Sequence, residues 1–365
     1  MALELYRISM RRFLTVFSSL SIVLLFMFVL SLSVGSTMVN PIEVFNKLLH
    51  SLIYKAVNTL GIPHVLKPVI ETDRVYSVAT LRLGRTIAAI STGALLGVAG
   101  LLMQTATRNP LAEPYILGLS STALTTIAIG IILVPNIMIH KWALTTIAFI
   151  GALLGFVLTI LLSRLAGGTS ISLVLSGIAI NALFSGISHT LLYVVQNTIR
   201  MHYVFLLMGS TSTILLNDTI FLILPFAAGT TASLLLFKIL NTFLYGDEYA
   251  KQFGYSPSLV LIIISAIASV LTASTVATVG IVGFVGLAAP HISRLLVGTD
   301  HRFSLPITAM IGAMITTIAD VVVRIISLLS AGLGELPLGV ITSTIGAPFL
   351  AYLIIKRMKG HEDSY

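Results

Sequence analysis

The run from Phe13 to Val34, FLTVFSSLSIVLLFMFVLSLSV, carries no charge and follows the basic pair Arg11-Arg12. A secretory signal has an apolar core of roughly 7 to 15 residues and a small-residue cleavage site. This run is longer and offers no convincing site, so it reads as a retained membrane span, because crossing the hydrocarbon takes about 20 apolar residues. The pattern then repeats. With the first run at 12 to 35, apolar stretches bounded by charge, Pro or Gly fall near 84 to 106, 115 to 136, 142 to 164 and 172 to 195. Five more fall near 215 to 241, 258 to 278, 280 to 298, 304 to 330 and 337 to 356, the seventh and eighth being the least separable. The reading is an all-α polytopic membrane protein of about ten transmembrane helices.

Composition agrees. Of 365 residues 56% are hydrophobic and 9% charged, with a mean hydropathy of +1.04, whereas soluble chains carry about 25% charged residues. The formal charge is +8, but the basic residues lie singly between apolar runs, which argues against nucleic acid as a partner. Cysteine is absent, so disulfides and thiolate chemistry are excluded. An even number of spans puts both termini on one side. Twelve of the 21 basic residues fall on that side. Six of the others (Lys47, Lys55, Lys67, Arg74, Arg82, Arg85) sit in or beside one long loop, where the charge rule is weaker. Both termini are therefore expected to be cytoplasmic, in a multi-pass protein of the plasma membrane.

The whole chain, 1–365, is read as one membrane domain. It divides into a first span (1–36), an outer-surface segment (37–80), core spans two to ten (81–356) and a cytoplasmic tail (357–365). Val44, Leu48, Leu49, Leu52 and Ile53 suggest an amphipathic helix or two in the surface segment. Gly93-Ala-Leu-Leu-Gly97 and Gly151-Ala-Leu-Leu-Gly155 are small-xxx-small patterns that let helices approach closely.

Polar groups that interrupt apolar spans are the candidates for function. Arg108-Asn-Pro-Leu-Ala-Glu-Pro114 is a constrained turn, compatible with an ordinary connector or with a gate at Asn109 and Leu111. Ser170 follows Gly167-Gly168-Thr169, where hydroxyls can cap a helix. Asn181 and His189, eight apart, lie near one helical face and could line a cavity or bond between helices. Tyr245-Gly-Asp-Glu-Tyr-Ala-Lys-Gln-Phe-Gly254 is the most charged interior segment, a short surface helix or a solvated connector. Asp320 and Arg324, at i and i+4, can pair on one helical face. His291 and His301 lack the cluster a metal site needs, so neither a metal site nor a catalytic set is expected.

Six blocks, in order, resemble the permease subunits of type II ABC importers, which carry vitamin B12, haem and iron-siderophore complexes. They are Leu81-Arg-Leu-Gly-Arg-Thr86, Asn109-Pro-Leu-Ala-Glu-Pro114, Gly246-Asp-Glu with Phe253-Gly254, Gly283-Phe-Val-Gly-Leu with Pro290-His291, Asp300-His-Arg302, and Glu335-Leu-Pro-Leu-Gly-Val-Ile-Thr342 running into Gly346-Ala-Pro348. The resemblance covers about residues 80 to 356. It departs from the family at Gly84, where proline is usual, which loosens that turn but keeps both arginines.

The resemblance implies a homodimer around a central pathway, two separate ATPase subunits holding ATP and Mg, and an external substrate-binding protein. It places a cytoplasmic gate at Asn109, Leu111, Ser170 and Ile171, and ATPase coupling at Gly246, Asp247, Glu248, Lys251, Phe253 and Gly254. Docking of the binding protein falls to Arg82, Arg85 and Arg324. The chain has no Gly-Lys pair and so no phosphate-binding loop of its own, and no cofactor is expected in it. The substrate expected is a metal chelate: an iron-siderophore, haem or a cobamide. Two other classes fit the sequence less well. An ion-coupled secondary transporter usually needs intramembrane carboxylates, and only Asp320 qualifies. An intramembrane enzyme would need paired His and Asp at bilayer depth, whereas His189 and Asp320 are expected toward the outer ends of different spans with no nucleophile or metal set to join them.

Overall fold

The computed structural model describes residues 2–35, 39–59, 74–199, 209–329 and 335–362, and among them there is no strand. The helices are α1 (Ala2–Ser33), α2 (Pro41–Thr59), α3 (Arg74–Thr107), α4 (Leu119–Leu133), α5 (Lys141–Leu165) and α6 (Ser170–Ile199). They continue with α7 (Ile220–Leu235), α8 (Phe237–Leu244), α9 (Asp247–Gln252), α10 (Pro257–Thr278), α11 (Val285–Val297), α12 (His301–Leu329) and α13 (Leu338–Glu362). Among the described residues seven helices are long and apolar enough to cross a membrane, and three shorter apolar ones, Leu119–Leu133, Val285–Val297 and Leu338–Phe349, stand where further spans are expected.

Several boundaries differ from the sequence reading, three of them for an evident local reason. Charge ends a hydropathy window but not a helix: α3 begins at Arg74, ten residues before the expected start at 84, and contains Arg82 and Arg85. At 34 residues it is about 51 Å long, well beyond a hydrocarbon core of about 30 Å. The expected span 215 to 241 is a single-turn 3-10 helix, Leu216–Thr219, followed by α7, a break at Leu236 and α8. The ambiguous seventh and eighth spans part at Val279–Phe284, where Gly280 (φ 95°) and Phe284 (φ 68°) adopt left-handed backbone.

The peripheral helix α5 turns small residues inward and large ones outward. On α5, Gly151, Ala152, Gly155 and Thr159 are buried while Leu154, Leu158, Leu161 and Leu165 are exposed, as suits a helix packed on others through its small face and on lipid through its large one. α3 is central, with Leu95, Leu96, Leu101, Leu102 and Met103 in the main core. It reaches its neighbours through glycine: a methyl at Gly93 would overlap the Gly312 carbonyl of α12, and one at Gly100 the Gly286 carbonyl of α11.

At the periphery α1 rests Phe13 and Val16 on Phe303 and Ile307 of α12. α2 seats Val44 against Leu32 and Ala79, leaving Leu49 and Ile53 exposed. The side chains of Leu48 and Leu52, residues 60–73 of the surface segment and the tail beyond 362 lie outside the described residues. Because α3 runs the length of the bundle, it defines two ends: Arg82 and Arg85 lie at one, Arg108 and the turn after it at the other.

Candidate functional site: two charged ends joined by one helix

At the Arg108 end the chain leaves α3 through Arg108 at φ 50°, a left-handed conformation unusual for a side chain other than glycine. Asn109 Oδ1 accepts the Leu111 N–H at 3.0 Å, and the Ala112 N–H reaches the Asn109 carbonyl at 3.1 Å, so the Asn-Pro pair forms a closed turn. Leu111 and Ile171 are both exposed. Ser170 donates to the Ala106 carbonyl at 2.8 Å, which brings the start of α6 beside this turn. The four residues assigned to a gate thus occupy one neighbourhood.

The turn is tied inward as well. Glu113 accepts the Phe284 N–H at 3.0 Å, and the Tyr115 hydroxyl donates to the Val282 carbonyl at 3.3 Å while accepting the Val282 N–H at 3.0 Å. Burial holds the Glu113 carboxyl above the usual range, opposed in part by the Phe284 N–H. Neither Glu113 nor Tyr115 carries a role in the sequence reading, since a carboxylate between two prolines looks like a solvated loop residue.

α9 has six residues. Gly246 enters it at φ 116° and Gly254 leaves it at φ 81°. The Gly254 N–H bonds the Lys251 carbonyl at 2.9 Å and the Tyr255 N–H the Ala250 carbonyl at 3.0 Å, the paired closure a left-handed glycine allows after a helix. The expected short helix ended by Gly254 is present, with Phe253 as its last capping residue. Glu248 and Lys251 pair at 2.8 Å in solvent, and the Glu248 carboxylate holds the Lys251 ammonium above its ordinary value.

Asp247 turns the other way, onto the Arg108 guanidinium. Arg108 also donates to the Phe243 carbonyl at 3.0 Å and lies 4.4 Å from that ring's centroid. Tyr245, Tyr249 and Phe253, at i, i+4 and i+8, are exposed, with successive ring centroids 5.4 and 5.0 Å apart in tilted contact. Their spacing was available in the sequence, where the charges drew attention instead. Behind them Asp300 accepts from Asn241 at 2.9 Å and Arg302 at 2.7 Å. Its burial would raise the carboxyl, but those bonds win and hold it below the usual carboxylate range.

At the opposite end Arg82, Arg85 and Arg324 lie together and are largely buried, at 7%, 9% and 3% exposure. Arg324 does not stand out from the surface, as its expected docking role would suggest. Carbonyls and carboxylates hold the three within the protomer. The last turn of α1 leaves carbonyls without helical partners, and a cation there also meets the negative end of the helix dipole. Arg82 donates to the Leu32 and Ser33 carbonyls at 3.1 and 2.8 Å, and Arg324 to those of Ser31 and Val34 at 2.6 and 3.2 Å. Asp320 is fully buried, takes Arg85 Nε at 2.8 Å and Thr211 at 2.6 Å, and pairs with Arg324 as its i,i+4 spacing predicts. Glu335 takes Arg85 at 2.8 Å.

A cavity of about 410 Å³ opens onto this group, with Leu81, Ser212 and Ser327 in its wall. Asn181 is half-buried and His189 exposed on α6, the histidine bonded to its own helix at the Ser185 carbonyl, 2.6 Å away. Among the described residues no group of three or more His, Asp or Glu could hold a metal.

The described residues thus form a bundle of apolar helices with a short charged helix at one end and an arginine pocket at the other. The comparisons with known proteins say what class of protein this is. The chain belongs to the FecCD transport family, whose pattern matches residues 23–356. It is 31% identical over 280 residues to the iron(3+)-hydroxamate import system permease FhuB of Bacillus subtilis, covering 77% of this chain and 71% of that one. It is 33% identical over 291 residues to the hemin transport system permease HmuU of Yersinia pestis, covering 76% and 82%. A transporter solved in an inward-facing conformation and assigned to the metal-chelate type of ABC transporter superposes with a TM-score of 0.74 at 26% identity, covering 94% of this chain and 99% of that one. The chain is thus a multi-pass permease subunit and not an enzyme.

Proposed function

We propose that this chain forms the pathway through which a metal chelate enters the cell, as one half of a homodimer with two ATPase subunits beneath it and a substrate-binding protein outside. The observation that carries this reading is the pairing of the two charged ends on α3 in a chain whose relatives are named for ferric hydroxamate and hemin import. The substrate class is a ferric siderophore, haem, ferric citrate or a cobamide. ATP and Mg belong to the ATPase. Both termini lie in the cytoplasm, on the α9 side.

The ends have different tasks in this proposal. Glu248, Lys251 and the aromatic row of Tyr245, Tyr249 and Phe253 meet the ATPase, while Gly246 and Gly254 set the angle at which α9 stands away from the bundle. Asp247 passes the movement of α9 to Arg108, and through it to Asn109 and Leu111, which gate the pathway with Ser170 and Ile171 and their copies in the other protomer. A rigid link of this kind suits a two-state equilibrium biased by nucleotide. Asn181 and His189 line the path on α6. Arg82, Arg85 and Arg324 take acidic side chains of the binding protein, which enter through the cavity beside Leu81. Identifying the small molecule that copurifies with the cognate binding protein, by native mass spectrometry, tests the substrate class. An apo-like protein that binds free amino acids or sugars would overturn it.

A further inference from the structure

The two carboxylates of the arginine end are not equivalent. Asp320 is inaccessible and shared by Arg85, Arg324 and Thr211. The Glu335 side chain is 38% exposed, precedes α13 in the connector from α12, and sets both carboxylate oxygens 2.8 Å from one Arg85 nitrogen. Three guanidiniums face two carboxylates, a net of one positive charge, and if Glu335 swings out the net becomes two beside an open cavity of about 410 Å³. Among the described residues the buried Arg324 Nε also lacks a partner. The pocket is therefore an anion receptor whose outermost anion is the protein's own.

We propose that Glu335 is an internal stand-in for the docking carboxylate: it holds Arg85 while the transporter is undocked, and an acidic side chain of the binding protein displaces it. This rests on the docking reading of the arginine end given above. The exchange has a physical advantage. A buried guanidinium stripped of its partner is strongly unfavourable, and a one-for-one replacement avoids that state at every step. Because the leaving and entering groups are alike, the net gain is small, which suits a complex that must form and release once per cycle. Glu335 lies three residues before Leu338, whose N–H bonds the Gly209 carbonyl at 2.7 Å, so its release is felt at the start of α13.

The experiment measures binding of the cognate substrate-binding protein to the assembled permease–ATPase complex in nanodiscs, with association and dissociation rates at two salt concentrations. Removing a competing carboxylate from a largely buried arginine is worth about a tenfold change in affinity. Glu335→Gln is accordingly expected to bind about tenfold tighter, and the gain should vanish in an Arg85→Gln background. Unchanged or weaker docking at wild-type thermal stability, with Arg82→Glu/Arg85→Glu still abolishing it, overturns the exchange and leaves the docking reading standing. If the double reversal has no effect either, the docking reading itself fails. Should Glu335→Gln lower thermal stability, Glu335→Asp decides. It keeps the charge but shortens the reach, and tighter docking is expected there too, whereas wild-type affinity overturns the exchange.

Discussion

Removing one charge from the Arg108–Asp247 pair tests whether α9 is coupled to the proposed gate. The pair is part-exposed, with side chains 28% and 45% accessible, so its worth is that of a screened surface bridge, about 0.5–1 kcal/mol. The Phe243 carbonyl and ring add contacts to Arg108 alone, worth about as much again. Asp247→Asn keeps the shape and deletes the charge. If the pair transmits motion, the amount of chelate transported per ATP hydrolysed should fall by up to about fivefold, the factor that about 1 kcal/mol commands. Arg108→Gln severs both connections and should fall further. The double variant should be no worse than Arg108→Gln, because Asp247 then has nothing to hold. The assay is paired uptake and phosphate release in proteoliposomes containing the partner ATPase, at low and high salt, since screening should shrink the wild-type advantage. Strictly additive losses, or an undiminished ratio in Asp247→Asn, would refute the idea that Arg108 is the link.

Other expectations follow from the same geometry. Cysteines placed at Asn109, Leu111, Ser170 or Ile171, in a chain that has none of its own, should cross-link to the second protomer to an extent that changes with nucleotide; constant, negligible cross-linking would remove the gate. Gly100→Ala drives a methyl into the Gly286 carbonyl, whereas at Gly130 the nearest atom would be 3.5 Å away, so melting in detergent should drop for the first, by about 1–3 kcal/mol or more, and barely move for the second. Glu113, held above the usual carboxylate range, binds its proton more tightly folded than unfolded. Its contribution is therefore fully present below the ordinary value of about 4.3 and lost as pH rises through the folded value. Glu113→Gln keeps an oxygen for the Phe284 N–H and should flatten the pH dependence of melting just above 4.3; an unchanged profile would show that Glu113 does not titrate there.

Much of this architecture is legible in the sequence because lipid imposes one requirement, an apolar run of sufficient length. That is why each of the ten stretches finds a helix, and why the i,i+4 spacing of Asp320 and Arg324 yields a real pair. What local reading misses is contact at long range. Arg85 meets Glu335 across 250 positions and Glu113 meets Phe284 across 171, and no window over the chain contains both partners. Arginines near a span's end look like headgroup anchors until the carbonyls at the end of α1 are placed against Arg82 and Arg324. The start of α3 is missed for the same reason, since the partners of Arg82 lie at the end of α1 and those of Arg85 are Asp320 and Glu335.

The proposed function requires this permease to move its cargo only when coupled to a separate ATPase. The direct measurement is uptake of a radiolabelled ferric chelate, presented on its binding protein, into proteoliposomes holding the purified chain with or without the partner ATPase. Uptake should require the ATPase and lumenal ATP, stop with vanadate and persist when ionophores collapse all ion gradients. Accumulation by the chain alone, driven by a proton or sodium gradient and indifferent to vanadate, would contradict the account.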